Sequence, residues 1–123
     1  MGNRVMIVDD EPSILIAVRE LLKMEGYDVI TAQGGEKCLE ELKKGFKGVI
    51  LMDIMMPAMD GWDTIEHMVN EGLIEGNVVS MLTAKDVPDA KMDYLKEYVI
   101  DYITKPFDPE QLVSIVGEYL AYS

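Results

Sequence analysis

Five polar side chains of complementary charge stand at the ends of four strand-like runs in this chain of 123 residues. Asp9 and Asp10 follow Val5-Met6-Ile7-Val8, Asp53 follows Val49-Ile50-Leu51-Met52, Thr83 closes Val78-Val79-Ser80-Met81-Leu82, and Lys105 ends Asp101-Tyr102-Ile103-Thr104. A lone strand-terminal Asp often does no more than open the next loop, so the argument rests on the set. Brought together, three carboxylates repel one another, and one is pushed toward protonation unless a cation is held between them. Mg²⁺, a hard ion that keeps some of its water, suits two carboxylates and a phosphate oxygen. Lys105 can offset a further charge from the opposite side, and Thr83 offers a hydrogen bond to whatever lies between. Such a site fits an anion with at least two negative charges. A phosphoryl group on Asp53 meets that requirement, its charge neutralised by the metal and by Lys105 during an in-line attack.

Convergence requires parallel strands whose carboxyl ends share one edge. A strand over 4–8 runs into Asp9-Asp10-Glu11, after which Pro12 suits a first helical position. Ile14, Leu15, Val18, Leu21 and Leu22 recur at helical spacing, predicting a helix over 12–25 stopped by Gly26. Residues 27–32 form a more polar strand, nearer a sheet edge, and 36–44 a helix with Cys38, Leu39 and Leu42 inward. The run 49–53 reads as a central strand buried on both faces. Pro57 and Gly61 bracket a turn, and a third helix begins at Trp62 or Asp63 with Ile65, Met68 and Val69 inward and His67 on the surface. A strand over 77–83, a fourth helix from Pro88 with Met92 and Leu95 buried, and a strand over 101–105 stopped by Pro106 follow. The fifth helix, from about Pro109, uses Leu112, Val113, Ile115, Val116 and Leu120. This alternation predicts an α/β fold: a single doubly wound five-stranded parallel sheet with five helices.

The length suits one domain spanning 1–123. A net charge of −12 argues against direct binding of nucleic acid and favours a cation or a basic partner patch. No apolar run approaches the ~18 residues of a membrane span, and the N-terminus lacks the pattern of a signal peptide, so a soluble, cytoplasmic protein is expected. The only cysteine, Cys38, excludes an internal disulfide, and without basic neighbours it reads as a small core hydrophobe. No DNA-binding or catalytic output segment follows the fifth helix, which suggests a stand-alone domain or one cut from a longer chain.

Asp9-Asp10, Asp53 with Met56-Pro57 and Asp60-Gly61, Leu82-Thr83-Ala84, and Tyr102-Ile103-Thr104-Lys105-Pro106-Phe107 occur in that order. Together they resemble the receiver domain of two-component response regulators, of the chemotaxis-regulator-like kind. The resemblance covers nearly the whole chain and implies the flavodoxin-like strand order 2-1-3-4-5. It also implies a signalling switch rather than an enzyme in its own right. Asp53 would accept a phosphoryl group from a sensor histidine kinase or a histidine phosphotransfer protein of a phosphorelay. Asp10, Asp53 and the backbone carbonyl of Met55 would ligate Mg²⁺, with Asp9 acting largely through water. Lys105, followed by a cis bond to Pro106, would pair with phosphoryl oxygens, Thr83 would move to bind them, and Tyr102 would turn inward. The output would be an altered helix 4, strand 5 and helix 5 surface, read by a downstream protein target or an attached output domain, and also available for a homodimer.

Three other readings compete. A Mg²⁺-dependent phosphohydrolase typically carries an acid/base Asp two residues after its aspartyl nucleophile, where this chain has Met55. A flavodoxin-like binder wants glycines and hydroxyls after the first strand, where this chain is acidic. A phosphorylation-independent interaction module leaves the intact acidic set without a purpose.

The chain departs from the family pattern at two places that bear on function. At the end of the fourth helix, Tyr98-Val99-Ile100 stand where relatives often have a Gly-Ala turn, which makes a left-handed stop costlier and enriches the output face in apolar groups. Met55 and Lys85, each two residues beyond Asp53 and Thr83 respectively, occupy positions that influence how water reaches the phosphoryl group. A thioether cannot orient water through a strong hydrogen bond. Phosphorylated native protein is therefore expected to hydrolyse more slowly than Met55→Asn. Acid-quenched decay of labelled protein measures this, and faster loss from the native chain would refute it.

Overall fold

The strand Val49–Asp53, β3, is buried at every residue and occupies the middle of the sheet. The computed structural model describes residues 2–84 and 93–122. In these, β1 (Arg4–Asp9), α1 (Pro12–Lys23), β2 (Asp28–Gln33), α2 (Gly35–Lys43), β3, α3 (Gly61–Asn70), β4 (Val78–Thr83), a 3₁₀ helix (Asp93–Tyr98), β5 (Val99–Thr104) and α4 (Pro109–Tyr122) follow one another. All pairings are parallel, in the order β2-β1-β3-β4-β5. The polar strand β2 lies at one edge, as its composition predicts. The segment expected to open the fourth helix, with Pro88 and Met92, lies outside the described residues. Leu95 is buried, but in a 3₁₀ turn.

Alternation along the strands sorts the core into two layers. Met6, Ile50, Met52, Val79 and Met81 face α2 and α3, where Cys38, Trp62, Ile65 and Met68 meet them. Val5, Ile7, Val49, Leu51, Leu82 and Ile103 face α1 and α4, against Leu15, Val18, Leu112 and Val116. Burial pushes the Cys38 thiol up to about 12, with the charge of Glu41 adding to the effect, so it packs as an inert hydrophobe. His67 sits exposed on α3, 3.4 Å from Glu71. No helix among the described residues is long and apolar enough to cross a membrane.

β5 departs from expectation in a way that matters for the site. It starts at Val99 rather than at 101 and stops at Thr104, so Lys105 lies just past the strand. Val99 and Ile100, read in the sequence as a helix end, are paired sheet. The register explains the error: Val79 pairs with Val99 but Ser80 pairs with Asp101, so Ile100 is an extra residue, a β-bulge. The bulge breaks the alternation that a sequence reading depends on. Val99 packs in the α3 layer, whereas Asp101 and Ile103 turn to the α4 side, and Tyr102 returns to the α3 side beside Trp62.

A partly buried polar chain pins this bulge. Ser80 and Tyr119 hydroxyls lie 3.0 Å apart, Tyr119 donates to Asp101 Oδ2 at 2.7 Å, and Ser80 donates to the Asp101 carbonyl at 3.3 Å. The second carboxylate oxygen of Asp101 accepts the backbone N–H of Tyr102 at 2.8 Å. Desolvation, together with its hydrogen bond to Asp101, holds the Tyr119 phenol protonated well above its ordinary range, despite an opposing contribution from Ser80. Tyr119→Phe removes the hydroxyl shared by strands and helix and should destabilise the fold by about 1–2 kcal/mol. Urea unfolding measures it, and an unchanged midpoint would show that the chain of hydroxyls carries no net stability.

Candidate functional site

The register that pairs Val8 with Met52 and Asp53 with Leu82 sets the ends of β1, β3 and β4 level with one another. One carboxylate oxygen from each of Asp9, Asp10 and Asp53 lies within 4.8 Å of the others. Asp9 is fully buried: its Oδ1 accepts the Glu11 N–H at 3.0 Å and its Oδ2 accepts Lys105 Nζ at 2.9 Å. Lys105 Nζ also stands 3.3 Å from Asp53 Oδ1, which in turn accepts the Met55 N–H at 3.3 Å. Asp10 is half-buried, and its carbonyl accepts from the Gln33 amide at 3.2 Å, which ties the end of β2 to the loop after β1.

The loops fix these side chains from behind. Ile54 N–H donates to the Leu82 carbonyl and Gly61 N–H to the Ile54 carbonyl, folding the 54–61 loop back over the sheet edge. A Cβ on Gly61 would lie 2.6 Å from the Asp53 carbonyl oxygen, so only glycine permits that return. Asp60 caps α3 immediately before it, accepting the Asp63 N–H at 2.8 Å while the Asp63 side chain accepts the Asp60 N–H at 3.1 Å. On the other side the Lys105 N–H donates to the Thr83 carbonyl at 2.8 Å, and the peptide to Pro106 is cis. Lys105 therefore enters the site from a turn anchored to β4.

The structure thus brings together four of the five side chains singled out in the sequence. Thr83 sits at the same rim, but its hydroxyl donates to the Ala84 carbonyl at 2.9 Å. Tyr102 is 43% exposed, with its ring 6.3 Å from that of Trp62, and Met55, whose N–H donates to Asp53, is 64% exposed. Lys85 lies outside the described residues. Gln33, Ser80, Asp101 and Tyr119 were not foreseen, because single polar residues on strands and helices carry no spacing signal.

The electrostatics are those of a site that wants more positive charge. Burial raises the Asp53 carboxyl from 3.8 to about 6, and the charge of Asp9 adds to this, while Lys105 and the Met55 N–H pull it back only in part. Burial works against the Lys105 ammonium, but its bonds to Asp9 and Asp53 and their charges outweigh it, so Lys105 is held above its ordinary value. The three carboxylates are hard oxygen donors in the number and spacing that a small divalent cation accepts, with water completing its shell.

A raised carboxyl pKa means that the folded protein binds more protons than the unfolded chain between about pH 4 and pH 6. Without divalent ions, stability should fall as pH rises through that window and level off above it. Asp53→Asn, which cannot ionise, should gain up to about 3 kcal/mol over the native protein at pH 8 and little at pH 4. Urea unfolding in chelator at both values checks this; an equal difference at both would contradict it.

Residues 5–117 match the family model of the response regulator receiver domain. The chain is 36% identical over 123 residues to the alkaline phosphatase synthesis transcriptional regulatory protein PhoP of Bacillus subtilis, covering all of this chain and 50% of that protein. It is 35% identical over 122 residues to protein PilG of Pseudomonas aeruginosa, covering 97% of this chain and 88% of that one. The chain spans about half the length of most of the curated relatives it matches. Among solved structures, a CheY-like response regulator receiver domain protein from Methanospirillum hungatei superimposes with a TM-score of 0.94 at 51% identity, over 97% of this chain and 94% of that one. With its parallel 2-1-3-4-5 sheet and its cluster of aspartates at the carboxyl edge, this chain belongs to the receiver domain family of two-component response regulators.

Proposed function

We propose that residues 1–123 act as one receiver domain, a phosphorylation-dependent switch in which Asp53 accepts a phosphoryl group from a phosphohistidine of a sensor kinase or a histidine phosphotransfer protein. The observation that carries this reading is the placement of Lys105 Nζ, 2.9 Å from Asp9 and 3.3 Å from Asp53, in a cluster of three aspartates. One ammonium cannot balance three carboxylates. Asp10, Asp53 and the Met55 carbonyl would hold Mg²⁺, with Asp9 reaching it through water, and the bound ion would supply the missing positive charge.

The chain's own residues do the remainder. The Asp53 carboxylate, 4% exposed at the rim and ionised once its charge is balanced, attacks phosphorus in line. The new O–P bond forms as the N–P bond breaks, and the imidazole leaves with the electron pair. Lys105 moves its hydrogen bonding from Asp53 toward the added phosphoryl oxygens. Thr83, whose hydroxyl now serves the Ala84 carbonyl, lies on the strand beside β3 and can turn to the same group. That rearrangement would propagate along β4 and β5 to the face made by the 3₁₀ helix, β5 and α4, where Tyr98, Ile100 and Tyr102 are exposed. A downstream target, an attached output domain or a second copy of the chain would read that face. The chain catalyses only its own phosphoryl transfer and slow dephosphorylation.

Incubation with acetyl phosphate and Mg²⁺, followed by intact mass, should show a gain of one phosphoryl group. The gain should vanish in Asp53→Asn and when the metal is chelated. Equal labelling of Asp53→Asn would move the acceptor elsewhere, and no labelling of native protein would favour an interaction module.

A further inference from the structure

The three aspartates of the cluster are not held alike. Asp9 is tied to the Glu11 N–H and to Lys105, and Asp53 to the Met55 N–H and to Lys105, whereas the Asp10 carboxylate has no hydrogen-bond donor among the described residues. What is held at Asp10 is its backbone. The peptide between Asp10 and Glu11 donates its N–H to Asp9 Oδ1 at 3.0 Å, and its carbonyl accepts Gln33 Nε2 at 3.2 Å. A trans peptide is planar with these two groups on opposite edges, so bonds at both fix its rotation. Glu11 is anchored in turn, its carbonyl accepting the Ile14 and Leu15 N–H groups at the start of α1. A swivel of this peptide would therefore displace the Asp10 Cα, and the carboxylate with it.

The fold places Gln33 for this contact. It is the last residue of β2, level with Asp9 in the parallel register, and the Gly34 N–H closes onto the Ala32 carbonyl at 3.1 Å, so that Gln33 is the centre of a tight turn. From there its side chain crosses to the loop after β1. Gln33 is exposed, so the bond adds little to the stability of the fold; what it fixes is an orientation. Asp9, the other clamp, divides its carboxylate between this peptide and Lys105.

We infer that Gln33 is a positioning residue for the divalent ion: by holding the Asp10 carbonyl, its amide sets the direction in which the Asp10 carboxylate enters the acidic cluster. Mg²⁺ demands near-ideal octahedral geometry with short bonds, whereas Ca²⁺ accepts longer bonds and variable geometry. A misdirected Asp10 carboxylate thus weakens Mg²⁺ more than Ca²⁺, and Gln33 favours the smaller ion. The inference deepens the phosphoacceptor reading and rests on it, because that reading places a metal on Asp10.

Gln33→Met keeps the length of the side chain and removes the donor. In calorimetric titration at pH 8 it should bind Mg²⁺ about fivefold more weakly than the native protein does, the size of one net hydrogen bond, and Ca²⁺ with nearly native strength. The backbone carbonyl ¹³C resonance of Asp10, read through the Glu11 N–H, should move upfield in the metal-free variant, while the urea midpoint in chelator stays at the native value. Equal Mg²⁺ affinity in native protein and Gln33→Met, an equal fall for both ions, or a urea midpoint lowered in step with the fall, would overturn the inference alone. Native protein that binds no Mg²⁺ would overturn the phosphoacceptor reading, and this inference with it.

Discussion

A single half-buried ammonium holds the carboxyl edge of this sheet together. Lys105 Nζ bridges Asp9, which is fully buried, and Asp53, which is nearly so, at 2.9 and 3.3 Å. Removing carboxylates from water is unfavourable unless they are paired, and removing one partner would leave an uncompensated charge in the interior. The pairing is also incomplete, since Asp10 adds a third acid to the cluster and Asp53 remains raised to about 6 even with Lys105 beside it. The imbalance stores the site's function in its resting state. Whatever brings positive charge, or turns Asp53 from a bare carboxylate into a group that Lys105 can grip by other oxygens, changes which contacts are best.

The rest of the fold keeps that imbalance from relaxing. Parallel pairing sets the ends of β1, β3 and β4 level with one another, and the buried layers on both faces prevent the strands from sliding. Gly61 lets the loop after Asp53 fold back over its carbonyl, and the anchoring of Lys105 N–H on the Thr83 carbonyl ties the cation to β4. At the far edge the Ser80, Tyr119 and Asp101 chain fixes a bulge, and the bulge decides that Tyr102 faces α3 rather than α4. The acidic rim and the aromatic pair are thus linked through β4, which contributes Ser80 to one and Thr83 to the other.

Much of this was legible in the sequence because it depended on short-range pattern. The apolar run before Asp53 marked the central strand with the bounds it has, and the acids and lysine at strand ends marked the cluster once parallel topology was assumed. β5 was misplaced because its signal is not alternation: Val99, Ile100, Asp101 and Tyr102 make sense only with the register shift opposite Ser80, a property of two strands together. The Tyr119 network escaped for the same reason, since its members lie on β4, β5 and α4 and meet only after folding. Leu95 was correctly placed inside, yet its 3₁₀ geometry left no mark in the spacing. Thr83 stands at the rim of the site, and its hydroxyl donates to the Ala84 carbonyl of its own loop, a rotamer choice that sequence does not encode.

The central claim is that the carboxyl edge is short of positive charge and that Asp53 is the carboxyl which feels the shortage. Calorimetric titration of Mg²⁺ into the native protein at pH 8 and pH 5 tests it most directly. With Asp53 at about 6, the account predicts one site, bound about tenfold more weakly at pH 5 because protons compete for the same oxygens, and taking up Mg²⁺ with release of protons. Binding of equal strength at the two pH values, or binding that Asp53→Asn leaves intact, would contradict it.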